Sequence, residues 1–342
     1  MPALIPEVMR EIEWLGVRLG VPADWEIVRH GISPRKGSLV FADRTRQRLQ
    51  VTWTACTKRP DVARLLADHR AKQREQDPDL VVTTPVLPAG WRGMQRRQDD
   101  GHHTLTRAAR YDVKASRLIE VVLDDEPDSD LIDDLLNRLV VTGPADEARR
   151  FCAFGLDVTI PAEYQLVGTD IQPADVALRF STHREAKEPE KHPTLTVRRR
   201  AMADVWFDGN LRRVLKPHAS RAVMNFDKED DAVLPSLEGG AGGGCRATTA
   251  EPGLNADAHP PQIVSSKETD QDSPLAYPLT ATWNVPGPRY QRLLNLHRIA
   301  LACAWHCPDE NAVYEVVAIG LAKSPPTLEQ LRVTCGQGGE RR

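Results

Sequence analysis

Gly16–Phe41 reads GVRLGVPADWEIVRHGISPRKGSLVF, and Gly155–Phe180 reads GLDVTIPAEYQLVGTDIQPADVALRF. The two segments align without a gap at an offset of 139 positions, and eight of the 26 aligned pairs are identical. Average composition gives on the order of one or two identities by chance in such a window. We therefore interpret the chain as an internal duplication, two divergent copies of one domain.

Each copy of this stretch opens with the pattern of a half-buried strand. In Val17–Val21 and again in Leu156–Ile160, apolar residues alternate with polar or small ones, which is the two-residue period of a strand. A proline then ends the strand, because proline has no N–H group for the ladder. An acidic residue and a large aromatic residue follow the proline in both copies, as Asp24-Trp25 and Glu163-Tyr164.

Beyond this stretch the two copies keep one order of predicted elements: further strands, a helix, more strands and a closing helix. The helix of copy one follows Pro60, and its apolar stripe is Val62, Leu65, Leu66 and His69 at i, i+3, i+4 and i+7. Its counterpart in copy two is predicted over residues 204–216. An antiparallel sheet with helices against it buries both apolar sets. We therefore predict an α+β fold class, with two tandem copies of an antiparallel sheet packed with helices.

The predicted domain boundaries follow from breaks in this pattern. Gly143-Pro144 interrupts the helix that closes copy one. A segment inside copy two has a glycine run, Gly239–Gly244, and almost no large apolar residues, so it cannot offset the entropy lost on ordering. We predict a first repeat at 1–142, a linker at 143–149, a second repeat at 150–335 with a disordered insertion at 227–273, and a flexible tail at 336–342.

The element order, with its opening strand, proline, acidic residue and aromatic residue, resembles the Mog1/PsbP-like superfamily. The residues that carry the resemblance are Val-Pro-Ala-Asp-Trp at Val21–Trp25 and Ile-Pro-Ala-Glu-Tyr at Ile160–Tyr164. The resemblance covers most of each copy at the level of element order. It implies a binding or assembly factor rather than an enzyme.

Charge and composition bear on the compartment and on the class of partner. The net charge of −3 gives no global field that would attract nucleic acid or an anionic membrane, so binding to nucleic acid is disfavoured. No apolar stretch reaches the ~18 residues of a membrane span, and Met1–Trp14 carries charges instead of the apolar run of a signal peptide. The six cysteines are widely spaced, as is usual for reduced thiols. We expect a cytoplasmic protein without membrane insertion.

Cysteines and histidines near the end of copy two are the most suggestive metal motif. Cys303 and Cys307 flank His306, and Cys335 is a further thiol that could complete a tetrahedral zinc site. The residues around Cys303 have the pattern of a strand, however, where Cys303, Trp305 and Cys307 share one face. This spacing favours small buried thiols beside a core tryptophan over a zinc site, and we predict no metal ligand here.

Other clusters have plain structural explanations. The acidic run from Asp124 to Asp130 offers carboxylates for calcium, but it also precedes a helix, whose positive end acidic residues favour. His69 and the pair His102-His103 have the chemistry of general bases, and Cys56 that of a nucleophile, but no catalytic motif surrounds them. The sequence therefore predicts no catalytic residue, no metal site and no cofactor.

Five residues remain as candidates for contact with a partner. Trp25 and Tyr164 recur in both copies, either as rings that fix the turn after proline or as exposed binding aromatics. Arg198, Arg199 and Arg200 form the densest basic run, either a patch for phosphate or nucleic acid or a solvated surface among interleaved glutamates.

The leading functional hypothesis is a non-catalytic protein-binding or assembly module made of two pseudo-equivalent domains, with another protein as its partner. Two similar domains can engage a partner with a gain in effective concentration. Two alternatives stay open: an enzyme, a hydrolase or transferase with a site at the junction of the copies, and a sensor of a small molecule or metal. An enzyme needs a pocket with a coupled His or Cys and carboxylate partners.

Overall fold

The computed structural model describes residues 9–77, 80–97, 104–125, 130–142, 148–183, 192–215, 217, 262–265, 279–285, 298–321 and 331–335. The chain divides into two compact units, Met1–Ala162 and Glu163–Arg342. Strands make up 55% of the structure and helices 17%. The predicted α+β class, a sheet packed with helices, is therefore wrong: the fold is mostly β.

The first unit contains two sheets. Its described elements are β1 (Met9–Trp14), β2 (Val17–Pro22), β3 (Glu26–His30), β4 (Lys36–Ala42), β5 (Gln47–Ala55), α1 (Val62–Gln76), β6 (Val82–Thr83), β7 (Arg92–Arg97), β8 (Thr104–Asp112), β9 (Arg117–Asp125), α2 (Leu131–Arg138), β10 (Val140–Val141), β11 (Arg149–Ala153) and β12 (Leu156–Ile160). The larger sheet has the antiparallel order β3-β4-β5-β9-β8-β7-β6. The other runs β10-β2-β1-β11-β12, also antiparallel.

The second unit repeats the larger sheet. Its described elements are β13 (Gln165–Gln172), β14 (Asp175–Ser181), β15 (Thr194–Ala201), α3 (Ala203–Trp206), α4 (Leu211–Leu215), β16 (Gln262–Ser265), β17 (Leu279–Val285), β18 (Arg298–Cys307), a 3₁₀ helix (Pro308–Glu310), β19 (Ala312–Leu321) and β20 (Arg332–Cys335). The antiparallel order is β13-β14-β15-β19-β18-β17, while β16 and β20 pair in parallel.

Six of the seven strands in the larger sheet of the first unit have counterparts in the same order in the six-stranded sheet of the second unit, and β6 has no counterpart among the described strands. The chain runs through three adjacent strands, β3-β4-β5 or β13-β14-β15, and the fourth position is taken by a later strand, β9 or β19. The first strand pair of each sheet contains a register shift, between Ile27 and Arg29 in one and between Leu166 and Gly168 in the other. The extra residue is Val28 or Val167, an identical pair at the offset of 139, so the sequence repeat and the bulge coincide.

Equivalent hairpins begin the two copies. Leu15-Gly16 joins β1 to β2 with φ of 52° and 77°, and Phe154-Gly155 joins β11 to β12 with φ of 55° and 74°. Positive φ at both central residues is the conformation of a type I′ turn, which matches the twist of paired strands. A non-glycine residue at the first position bears the cost of the left-handed conformation in both copies.

The two hairpins pair with each other through β1 and β11 inside the first unit. Glu13 lies opposite Cys152, and these two positions are themselves equivalent at the offset of 139. Arg150 forms an ion pair with Glu11, again its own equivalent position, and a two-point contact with Asp157 at 2.9 and 2.7 Å. The pairing of β1 with β11 thus has local two-fold symmetry. Two identical copies would place like charges opposite each other at this position, whereas here Glu11 and Arg150 have opposite charges.

Packing inside the larger sheet of the first unit depends on one close approach. Gly37 pairs with Trp53 across β4 and β5, and Trp53 is fully buried. A Cβ atom at Gly37 would lie 2.2 Å from the indole ring, so only glycine fits. Helix α1 packs on β7 and β8 of this sheet, and α2 packs on β2 with Leu135 and Leu136 buried.

Several elements differ from their predictions for physical reasons. The helix predicted at 204–216 is split into α3 and α4, because Gly209 between them has a φ of +82°, outside the helical region. Strands β1 and β11 were not predicted, since each shows only a short alternation. Of the predicted insertion at 227–273, the described part is Gln262–Ser265, which forms β16. Residues 143–147 of the predicted linker and the tail 336–342 lie outside the described residues.

Candidate functional site

A cleft of about 440 Å³ lies in the first unit, between α1 and the chain that follows β6. One wall is α1 and the other is the segment from Thr84 to Gly93. The lining residues are Ala63, Leu66, Ala67, Arg70, Ala71, Arg74, Thr84, Pro85, Trp91, Arg92 and Gly93. The volume is within the range of ligand-binding pockets.

The cleft exists because α1 packs loosely on its sheet. The helix is capped by Asp61, whose side chain accepts a hydrogen bond from the Arg64 N–H at 3.1 Å. Among its residues only Leu66 is buried, and Leu65 of the predicted apolar stripe is 44% exposed. The cleft side of α1 instead carries alanines at positions 63, 67 and 71, all exposed. Small side chains at i, i+4 and i+8 leave a shallow row along the helix.

Trp91 is the buried aromatic residue of the cleft. It is 7% exposed, and its indole N–H has no hydrogen-bond acceptor among the described residues. The guanidinium of Arg110 lies over the ring, 4.6 Å from its centroid, and donates to the Leu139 carbonyl at 3.2 Å. Gly93 allows the chain to fold closely here, because a Cβ atom would lie 2.8 Å from the Arg107 carbonyl oxygen. The ring is thus fixed, with one donor left unused.

The lining of the cleft is positively charged. It includes Arg70, Arg74 and Arg92 and no acidic residue. Arg70 donates to the Thr84 hydroxyl at 3.1 Å, and its Nε is buried without a partner in the described parts of the chain. Arg74 and Arg92 are exposed and form no ion pair with any described residue. Burial, and after it the positive charge of Arg107, lowers the pKa of His69 on the same helix.

Trp25 and Tyr164, two of the five predicted contact residues, lie in the cores of their units. Trp25 is 2% exposed and Tyr164 is 7% exposed. The backbone N–H of Trp25 donates to the Pro22 carbonyl at 3.1 Å, which closes the turn after proline. Burial raises the pKa of the Tyr164 hydroxyl, and the charge of Glu163 adds to the effect. Both rings occupy positions where they pack the turn. A role in partner binding stays a prediction for them.

The predicted basic run, Arg198 to Arg200, lies on β15, and each of its guanidinium groups meets a carboxylate. Arg198 forms a two-point ion pair with Asp175, which raises the pKa of the arginine. Arg199 Nε lies 3.4 Å from Glu310 and 3.3 Å from the Tyr314 hydroxyl. Arg200 is paired with Glu315 and lies over the Trp206 ring, 5.1 Å from its centroid.

The cysteine, acidic and histidine motifs of the sequence lie at separate places in the chain. Cys303, Trp305 and Cys307 are all buried on β18. Asp124 lies 3.7 Å from Arg46, while residues 126–129 of the acidic run and His102-His103 lie outside the described residues. Within the described ranges, no group of three or more His, Cys, Asp or Glu side chains is arranged to hold a metal ion.

The comparisons with known proteins do not place the chain in a family. No protein-family model matches the sequence, and no curated protein matches it. None of the helices in the described parts of the chain has the length and apolar character that a membrane crossing requires. The site must therefore be interpreted from its own geometry.

Sequence reasoning missed the α1 cleft, although a signal for it was present. The helix carries Ala63, Ala67 and Ala71 at a spacing of four, followed by Arg70 and Arg74 at the same spacing. The interpretation of α1 concentrated instead on the stripe that contains Leu65 and Leu66. The helix has one face with the alanines and one with Leu65 and Leu66. The position of β7 and β8 decides which face packs on the sheet, and that position cannot be predicted from the helix sequence alone.

Proposed function

We propose that this chain is a non-catalytic protein-binding module and that the α1 cleft of its first unit is the binding surface. The single observation that carries the proposal is the combination in one cleft of three arginines and a tryptophan, with no acidic residue in the lining. Arginine and tryptophan are the residue types enriched at the energetic centres of protein interfaces. Unpaired charge at a concave apolar surface is complementary to a charged partner.

The lining of the cleft supports binding over catalysis. It contains no His, Cys, Asp, Glu, Lys, Ser or Tyr side chain, so it offers no general base and, Thr84 apart, no side-chain nucleophile. Thr84 itself accepts a hydrogen bond from Arg70, and no residue of the lining can serve as its base. The enzyme and sensor alternatives gain no specific support from this cleft.

The resemblance to the Mog1/PsbP-like superfamily stays part of the proposal, since members of that superfamily look like binding and assembly factors. The cytoplasm stays the proposed compartment, on the basis of widely spaced cysteines of the kind found as reduced thiols.

Site-specific photo-crosslinking in cells tests the function without knowledge of the partner. A photoreactive residue would replace Ala67 in the cleft, and in a matched variant it would replace Arg44, exposed at the turn between β4 and β5. We expect a protein-sized adduct from position 67 and none from position 44. If position 67 yields only a small-molecule adduct or no adduct, the protein-binding proposal fails.

A further inference from the structure

We infer that the segment bound in the α1 cleft is an acidic α-helix of the partner protein, laid along α1. This inference rests on the proposed function and adds the chemistry and shape of the ligand. It is carried by the row of small residues, the spacing of the arginines and the buried indole of the cleft.

The small residues fix the shape. Ala63, Ala67 and Ala71 are exposed on the cleft side of α1 and lie one turn apart. Residues four apart form the ridges and grooves by which helices pack, and the distance between two helix axes shrinks as the contact residues become smaller. A row of three alanines over two turns, about 12 Å long, therefore matches a second helix better than an irregular loop.

The arginines fix the charge. Arg70 and Arg74 are also four apart, so their Cα atoms are about 6 Å apart along the helix axis. Acidic residues at i and i+4 of a partner helix have the same repeat and could pair with both. Arg92 extends the positive charge to the opposite wall of the cleft. Paired guanidinium and carboxylate groups form strong charge-assisted hydrogen bonds.

Leu66 and Trp91 fix the centre of the contact. Both are buried apolar residues of the cleft lining, Leu66 on α1 and Trp91 on the opposite wall. An apolar side chain of the partner helix, one turn from its carboxylates, would cover them.

Competing ligands make different predictions. An extended acidic peptide would bind equally well when it cannot form a helix. A small anion such as inorganic phosphate would bind to the arginines alone and would displace any peptide. Only a helical ligand depends at the same time on negative charge, on helix formation and on the small size of the side chain at position 67.

The test measures binding of fluorescent peptides to the full-length chain by anisotropy. The probe is an alanine-rich peptide of about 20 residues, long enough to be helical by itself, with glutamates four apart and one leucine on the same face. A second peptide has lysines in place of the glutamates, and a third has a central proline that breaks the helix. We expect the acidic helix to bind at least about tenfold more tightly than either.

Variants of the chain complete the test. Arg74→Glu should weaken binding of the acidic helix by at least about tenfold. Arg44→Glu, a matched charge reversal at the exposed turn between β4 and β5, should leave it within about twofold. Equal binding of the proline peptide, displacement by millimolar phosphate, or equal effects of the two variants would overturn the inference. A protein adduct at position 67 together with no binding of the acidic helix would overturn the inference but leave the proposed function intact.

Discussion

The arginines of β15 and the arginines of the α1 cleft show two uses of one residue type. On β15, Arg198, Arg199 and Arg200 each meet a carboxylate supplied by the same unit. In the cleft, Arg74 and Arg92 meet none among the described residues. The denser run in the sequence is thus the neutralised one. A basic cluster marks a binding surface only where the fold leaves its charge without a partner.

The helices that follow β5 and β15 differ in how completely they pack on the rest of their unit. In the second unit, α4 buries Val214 and Leu215 in one apolar cluster with Ala300, Ala302 and Ala304. In the first unit, α1 buries only Leu66 and leaves a cleft beside the sheet. This difference is the reason that the proposed binding surface is assigned to the first unit and not to the second.

The largest expected effect is on stability, at the paired arginines. Arg200→Ala removes the guanidinium beside Glu315, a carboxylate that is 1% exposed, and should lower the free energy of unfolding by about 3 kcal/mol. Arg213→Ala breaks an exposed pair with Asp208 and should cost less than about 1 kcal/mol. Urea denaturation measures both, and equal losses would contradict the contrast between buried and exposed pairs.

The next effect is on binding, through the shape of the cleft. Ala67→Phe places a large ring in the row of small residues and should weaken binding of the acidic helical peptide by about tenfold or more. The site is exposed, so the midpoint of thermal unfolding should stay close to that of the unchanged protein. Arg44→Phe is the matched control, because it adds the same ring at a turn away from the cleft. A normal affinity for Ala67→Phe would argue against close helix packing.

A smaller effect is expected from the charge on the far wall. Arg92→Gln should reduce affinity for the acidic helical peptide by roughly fivefold, about 1 kcal/mol, because one exposed ion pair is lost. Its dependence on salt should also become shallower. Arg97→Gln changes the exposed other end of β7, outside the lining, and serves as the control. If both variants lose affinity equally, the attraction is a diffuse field and not a contact at the cleft.

The smallest effect is a pH dependence of stability. His69 has a folded-state pKa below its ordinary value of 6.5, so the unfolded chain takes up the proton first as the pH falls. The stability linked to His69 is complete above pH 6.5 and declines as the pH drops below it. His69→Gln should make the plot of unfolding free energy against pH shallower in this range. A steeper plot for the variant would show that His69 gains rather than loses a favourable partner when protonated.

The strand framework was predictable from the sequence, and the class of the fold was not. The repeat in Gly16–Phe41 and Gly155–Phe180 predicts β2, β3 and β4 and their equivalents, because alternation and proline act locally. Helix α2 was also predicted and is present. The share of helix was overestimated in copy two, where the conformation of Gly209 splits the predicted helix, and short strands such as β1 form only through their pairing partners.

The site was less predictable than the fold because it depends on pairing between distant residues. Nothing near Arg198–Arg200 in the sequence shows that Glu310 and Glu315 will neutralise two of them, since these residues are more than 100 positions away. In the same way, the sequence does not show that Arg74 and Arg92 form no ion pair with any described residue. The composition and motifs of a sequence show which charged residues are present, but the fold decides which of them form ion pairs.

A matched pair of substitutions tests the central contrast most directly. Arg74→Gln in the cleft and Arg198→Gln on β15 remove the same charge from the full-length chain, and affinity for the acidic helical peptide is measured for each. We predict about fivefold weaker binding for Arg74→Gln, because one exposed ion pair is lost, and a change within about twofold for Arg198→Gln, although the latter loses its ion pair with Asp175. Weaker binding for Arg198→Gln with normal binding for Arg74→Gln would contradict the account and move the binding surface to β15.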